Sequence, residues 1–367
     1  MARCFSIPFF PASSAISRNN PYFAAKYRSM KTKRSGRQTV CLKDPPSIIG
    51  SAAVVGRKEG EGPLGSCFDI IGEDAYFGEQ TWEKAESAMQ RLAFSQALEK
   101  ANISASQLDY LFAGDLLNQC TASTFAMRDT AVPFWGLFGA CSTMAEGLGL
   151  AAMMIDGGYA DFTCALTSSH FCTAERQFRT PLEYGGQRAP TAQWTATASG
   201  AVVLSARGSG PFVTAVTTGC IRDAGIVDSA NMGAAMAQAA YDTISRHFED
   251  LQLSPFDYDL IVTGDLGRIG RGIVLDLFRR DGVDMAPVYD DCGVLLYDQA
   301  KQDVHAGGSG CGCSAAVLCS WLLEGMRAGR WKKLLFCGTG ALMSPTSSGQ
   351  GESIPGICHA VSISTMR

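Results

Sequence analysis

Apolar and polar positions recur in the same order in two parts of the chain, and a repeat of this kind decides how a long sequence is read. Residues 108–116 (Leu-Asp-Tyr-Leu-Phe-Ala-Gly-Asp-Leu) reappear as residues 258–266 (Tyr-Asp-Leu-Ile-Val-Thr-Gly-Asp-Leu). Both are short apolar runs ending in Gly-Asp-Leu, the pattern of a buried parallel strand that stops at a turn. Each follows a stretch with helical spacing. Ala85, Ala88, Met89 and Leu92 fall at i, i+3, i+4 and i+7, and Met236, Ala240, Ile244 and Phe248 fall four apart. Further on, residues 134–140 lead into Cys141-Ser142-Thr143, an apolar helix over 144–155, Gly157 and a strand over 162–166. Residues 307–312 likewise lead into Cys313-Ser314, a helix over 315–326, Gly329 and a strand over 334–337. Cys141 to Cys313 and Gly157 to Gly329 are both separated by 172 positions. Each half closes on an apolar strand, 201–205 and 360–364. Helices apolar nearly all round must lie between two layers, so the pattern predicts two α/β halves packed as layers with parallel-rich sheets. The switch falls in residues 206–211, where Arg-Gly-Ser-Gly-Pro breaks the periodicity.

Composition narrows the picture. A hydrophobic share of 46% in 367 residues supports a real core, and a net charge of −4 argues against a nucleic-acid binder. The charge is uneven: residues 1–37 hold eight basic residues and no acidic one, so the remainder carries 23 basic against 35 acidic residues. That leader lacks the continuous apolar core of a signal peptide. It suits a transit peptide, a surface-binding arm or, the preferred reading, an upstream stretch ahead of a start at Met30. Residues 1–37 are expected to be disordered where they are made. The most apolar stretch, 131–145, contains Pro133, Gly136 and Gly139 and meets Glu146 before a membrane could be crossed. It reads as a buried strand running into a buried helix. The 14 cysteines include a single C-x-C (Cys311, Cys313) and no C-x-x-C, so reduced, mostly buried thiols are expected and no metal site is predicted.

Several longer strings carry a resemblance. Residues 138–143 (Phe-Gly-Ala-Cys-Ser-Thr) are similar to the nucleophile segment of the thiolase-like superfamily, and residues 199–204 (Ser-Gly-Ala-Val-Val-Leu) to its half-closing strand. Within that superfamily the chain resembles the stage V sporulation protein AD family. The matching stretches are residues 58–65 (Lys-Glu-Gly-Glu-Gly-Pro-Leu-Gly), 113–119, 173–179 with 183–187, 306–311 and 352–355. The similarity runs from about Met30 to the C-terminus. It implies a five-layered α-β-α-β-α fold with pseudo-twofold halves at about 38–206 and 207–367. It also implies a homodimer.

Cys141 stands where a strand hands over to a helix, and helix N-terminal N–H groups there would favour a thiolate. A nucleophile also needs a base and donors for the oxyanion. The resemblance implies that these would follow residues 260–264 and precede the second glycine-rich turn. Here those positions read Gly264-Asp265-Leu266 and Gly307-Gly308-Ser309-Gly310, with neither imidazole nor amide. Gly356 occupies the place of the C-terminal acid/base cysteine. Asp265, facing Cys141 across the pocket, would raise the thiol pKa. Catalytic residues are therefore not expected, and Cys141 is either pocket-lining or an inert buried thiol.

Polar groups beyond a strand end are where α/β folds bind ligands, which points to His170, Arg176 and Arg179 after the strand ending at Ser169. The competing reading pairs Arg176 with Glu175 or Glu183. Ser309 and His359 join the expected ligand-binding set, His247 reads as a surface residue, and His305 is even between the two roles. Gly264, Gly267, Gly270 and Gly272 with Asp290 lack the order of a dinucleotide loop.

What the resemblance implies about function is the uptake of dipicolinic acid (pyridine-2,6-dicarboxylate), with calcium, into the developing spore. The chain would be the soluble component of an assembly with integral-membrane proteins, on the cytoplasmic side at the spore inner membrane. No resident cofactor is expected. The alternatives are an acyltransferase or condensing enzyme using Cys141, and a scaffold with a vestigial pocket.

Overall fold

The computed structural model describes residues 32–178 and 188–367. Most of the basic leader and Arg179 lie outside the described residues. In the first half, strand β1 (Ser47–Val55) is followed by helix α1 (Trp82–Ala101), β2 (Tyr110–Gly114), β3 (Phe134–Leu137), α2 (Thr143–Asp156), β4 (Phe162–Ser169), α3 (Phe171–Phe178) and β5 (Ala198–Ser205). The second half runs β6 (Phe212–Thr217), α4 (Met232–Leu251), β7 (Leu260–Thr263), α5 (Gly267–Arg280), β8 (Tyr289–Asp291), α6 (Cys311–Val317, continued over residues 318–327), β9 (Lys333–Ala341) and β10 (Gly356–Ser364).

The repeat read in the sequence is a repeat of topology. The strands lie in the order β3-β2-β4-β5-β1 in one half and β8-β7-β9-β10-β6 in the other. In both, the first three are parallel and the last two run antiparallel. The two sheets meet at one backbone pair, Phe212 with Ser47.

Alternation along the strands sorts the layers, because successive side chains point to opposite faces. Ala53, Val55, Val202 and Leu204 face the interior between the sheets, where Phe336, Val361 and Ile363 of the second half join them. Ala52, Val54, Ala201 and Val203 face outward onto Met89, Ala93 and Ala97 of α1. Leu335, Cys337, Cys358 and Ala360 face outward onto Met236, Ala240 and Ile244 of α4, with Val274 and Phe278 of α5 beside them. Helix, sheet, helices, sheet, helix make five layers, as expected.

Between the sheets, α2 touches both. A Cβ on Gly147 would press Leu137 of the first sheet, and one on Gly149 would come within 2.9 Å of Val216 in the second. These two glycines let the sheets approach a single helix from opposite sides.

One expectation fails. The strand within 131–145 is not buried: β3 is an edge strand whose Phe134 and Trp135 are exposed, as is Phe138 just beyond it. An apolar run shows that a strand forms, and cannot show whether a neighbour covers it.

Candidate functional site

The parallel strands end on one side of the molecule, and there a cavity of about 300 Å³ opens between the halves. Cys141 reaches it from a 3-10 turn, Ala140–Ser142, between β3 and α2. Ala140 holds a left-handed φ of 51°, a conformation that alanine adopts only when its surroundings impose it. Ser309 enters from the glycine-rich turn before α6, where Gly310 has φ of 97° and a Cβ would lie 2.6 Å from Ser169 Oγ. Leu116, Phe138, Phe178, Met232 and Met343 supply an apolar wall, and Gln193, Thr195, Ser229 and Ser344 supply neutral polar groups.

Behind Ser309 the carboxylate of Asp265 is fully buried. Its Oδ1 accepts the Thr339 hydroxyl at 2.8 Å, and its Oδ2 accepts the Gly310 N–H at 2.8 Å and the Ser309 hydroxyl at 3.2 Å. The Cys141 thiol adjoins the same carboxyl. Burial pushes the Cys141 thiol well above its ordinary range, and the adjoining Asp265 charge pushes it further. Burial also raises Asp265, against the pull of its donors. The helix start that would favour a thiolate is outweighed, so Cys141 is held as a protonated thiol.

Gln193 ties this arrangement together. Its Nε2 donates to the carbonyls of Asp265 (2.7 Å) and Gly308 (2.6 Å), which fixes the amide orientation because only an N–H suits two carbonyls. Neither Gln193 nor Thr339 belongs to a motif; Gln193 acts across the halves, and Thr339 reaches Asp265 from a strand 74 positions away.

The other expected site residues do not converge here. His170 is fully buried behind the wall. Its Nε2 donates to the Ala75 carbonyl at 2.8 Å, its Nδ1 accepts the Cys172 N–H at 3.2 Å, and burial lowers its pKa. It is a neutral structural imidazole. Arg176 forms an ion pair with Glu83 at the start of α1 and lies over the Trp82 ring, while Glu183 lies outside the described residues. His359 on β10 accepts the Gly219 N–H through Nδ1 and stays outside the cavity lining, with burial pushing its pKa down to about 4. His247 is fully buried, not on the surface, between the Thr217 hydroxyl and the Tyr258 hydroxyl at 2.7 and 2.6 Å. His305 pairs with Asp303 at 2.9 Å. All four histidines are described, and none lines the cavity. The structure thus brings Cys141, Asp265 and Ser309 together and leaves His170, Arg176 and His359 apart.

Comparison with known proteins agrees with the fold and with the family. The chain is similar to 3-oxoacyl-[acyl-carrier-protein] synthase III from Aquifex aeolicus VF5, with a TM-score of 0.52 and 14% identity over 87% of this chain and 99% of that one. It is also similar to OleA of Xanthomonas campestris, with a TM-score of 0.57 and 15% identity over 88% and 99%. These likenesses show the thiolase-like fold alone. In sequence it is 45% identical over 329 residues to stage V sporulation protein AD of Bacillus subtilis (strain 168), covering 90% of this chain and 97% of that protein. Residues 36–364 match the family model for stage V sporulation protein AD, so the chain belongs to that family.

Proposed function

We propose that the protein is a non-catalytic binder of dipicolinic acid, taken with calcium, for uptake into the developing spore. The observation that carries this reading is the buried Asp265 carboxylate adjoining Cys141 in a cavity that no histidine lines. A thiol that burial and an adjoining carboxylate hold in its protonated form, with no imidazole on the cavity lining, is a poor nucleophile, while the space around it remains. Dipicolinate alone is a dianion. Among the described residues the cavity lining holds no cationic side chain and one carboxyl, Glu175, so a bare dianion would be buried without compensation. Its one-to-one calcium chelate carries no net charge and suits neutral donors and an apolar wall. The planar ring would lie against Phe138 and Phe178, with carboxylate oxygens towards the Ser309 and Thr195 hydroxyls.

Calorimetry tests this. Saturable heat should appear with dipicolinate plus calcium and be weakened by Ser309→Ala and Phe138→Ala; no saturable heat would end the reading. The second reading, an acyltransferase through Cys141, draws support from the enzymes that share the fold. Incubation with acyl-CoA followed by intact mass decides it, since an adduct on Cys141 would displace binding as the primary role. The proposed setting is the cytoplasmic side of the spore inner membrane, beside integral-membrane partners. The exposed aromatic edge at β3 supports a homodimer joined there, which sedimentation would show as twice the chain mass.

A further inference from the structure

At the end of the sheets opposite Cys141 lies a second cavity, a groove of about 680 Å³. The turn over residues 208–211, the end of α6, and the ends of β1, β9 and β10 line it, with Ser47, Arg327, Lys332 and Thr365 among the lining residues. Its apolar floor is closed, with Ile48 and Met326 almost fully buried. What it presents is therefore backbone, hydroxyls and two cations.

Most arginines away from this groove are neutralised, although Arg37, Arg268 and Arg280 have no carboxylate within 4 Å among the described residues. Arg57, Arg91, Arg128, Arg176, Arg188, Arg222, Arg246, Arg271 and Arg279 each pair with a carboxylate. Around the groove Arg207, Arg327, Arg330, Lys332 and Arg367 are exposed, and among the described residues none pairs with a carboxylate within 4 Å. Arg327 instead donates to Ser51 Oγ at 3.1 Å, while Arg330 lies over the rings of Trp321 and Trp331. The nearest acids are engaged or displaced. Asp259 accepts the backbone N–H groups of Lys332 and Lys333, Asp69 pairs with Lys100, and Glu324 stands one turn before Arg327 without bonding it. Met366, next to the groove, is an exposed apolar side chain. A concentration of uncompensated cations on a chain whose body is acidic is a local field, and guanidinium forks suit phosphate oxygens.

We propose that this groove is a site for the phosphate of acidic phospholipid headgroups, and that it sets this face of the molecule on an anionic membrane surface. Arg327 and Lys332 hold the phosphate, the hydroxyls of Ser47 and Ser209 lie within the same groove, and Arg207, Arg330 and Arg367 add attraction from the rim. The chain's own leader is not a rival occupant, because residues 1–31 carry no carboxylate. The site stands whatever the Cys141 cavity holds.

The test is co-sedimentation of the full chain with vesicles of phosphatidylcholine containing about a third phosphatidylglycerol, and with phosphatidylcholine alone. Binding is expected only to the acidic vesicles and should fall with added salt. Arg327→Gln with Lys332→Gln should lower the partition about 30-fold, roughly fivefold per charge. Lys332→Glu, at an exposed position that cannot threaten folding, should lower it further than Lys332→Gln. Because every variant keeps the basic leader, unchanged binding by the double variant would assign the attraction to the leader and overturn the site. Calorimetric binding of glycerol phosphate without binding to acidic vesicles would make the occupant a soluble phosphate and overturn the lipid assignment.

Discussion

In the Asp265→Asn variant, the charge beside the Cys141 sulfur disappears while the side chain keeps its size. Asparagine can still turn its oxygen to the Gly310 N–H and its amide to Thr339 Oγ1, so the turn should hold at a cost of about 1–3 kcal/mol. The two groups adjoin, and the Asp265 charge is among the causes that raise the thiol. At about 4 Å and an effective dielectric near 20, two unit charges repel by about 4 kcal/mol, about a thousandfold in the ionisation equilibrium. The thiolate fraction at pH 8 would then rise about a thousandfold. A less basic thiolate is a weaker nucleophile, with a Brønsted exponent of about 0.5, which returns roughly thirtyfold of that gain. Alkylation of Cys141 by iodoacetamide should therefore be about thirtyfold faster in the variant. Peptide mass spectrometry reads it directly, with the other cysteines as internal references. A rate within twofold of the parent would mean that burial alone keeps the sulfur protonated, and the inhibitory role given to Asp265 would be wrong.

Arg176→Ala should leave dipicolinate affinity unchanged in calorimetry and shift the urea midpoint by less than about 1 kcal/mol, since the half-exposed pair with Glu83 points away from the cavity. His247 has its pKa lowered from 6.5 to about 4, so the unfolded chain takes up the proton first as the pH falls. The neutral imidazole thus contributes stability that is present above pH 6.5 and lost towards pH 4, about 3 kcal/mol in all. In urea melts His247→Gln should be less stable at pH 7 and lose about that much less between pH 7 and 4, whereas an equal slope would refute the buried neutral state. Glu86 behaves oppositely. Burial, with the nearby Asp115 charge, raises it to about 8, so its protonated form favours the native state below pH 4.5 and that contribution is lost as the pH rises through 8. Glu86→Gln, whose Oε1 can accept one of the Ser168 and Thr173 hydroxyls while its amide donates to the other, should gain stability over the parent as the pH rises from 6 to 9.

Much of the architecture was legible because it is written twice. The two Gly-Asp-Leu ends and the paired glycine-to-cysteine turns fixed the order of strands and helices, and they placed Asp265 opposite Cys141. Side-chain direction was not legible. His170, Arg176 and His359 each lie near a strand or helix end that borders the cavity, yet each turns to a partner outside it: Ala75, Glu83 and Gly219. None of those partners is a sequence neighbour, so no local spacing could announce them. His247 misled for a related reason. Arg246 and Glu249 beside it are polar, but one position of helix α4 faces Thr217 and Tyr258, and helical periodicity alone cannot separate a buried hydrogen-bonded imidazole from a solvated one. Gln193 was missed because its importance comes from what the second half brings towards it, and Thr339 because its partner Asp265 lies 74 positions away in the chain.

Helix α2 belongs by chain order to the first half, yet its two glycines seat it against both sheets. Cut the chain at the turn over residues 206–211 and each fragment would keep its own five strands while exposing a face that was interior. Neither piece inherits a closed core. The duplicated ancestor such a topology implies would have had to bury that face against a second copy of itself, and the present chain carries that obligation within one polypeptide.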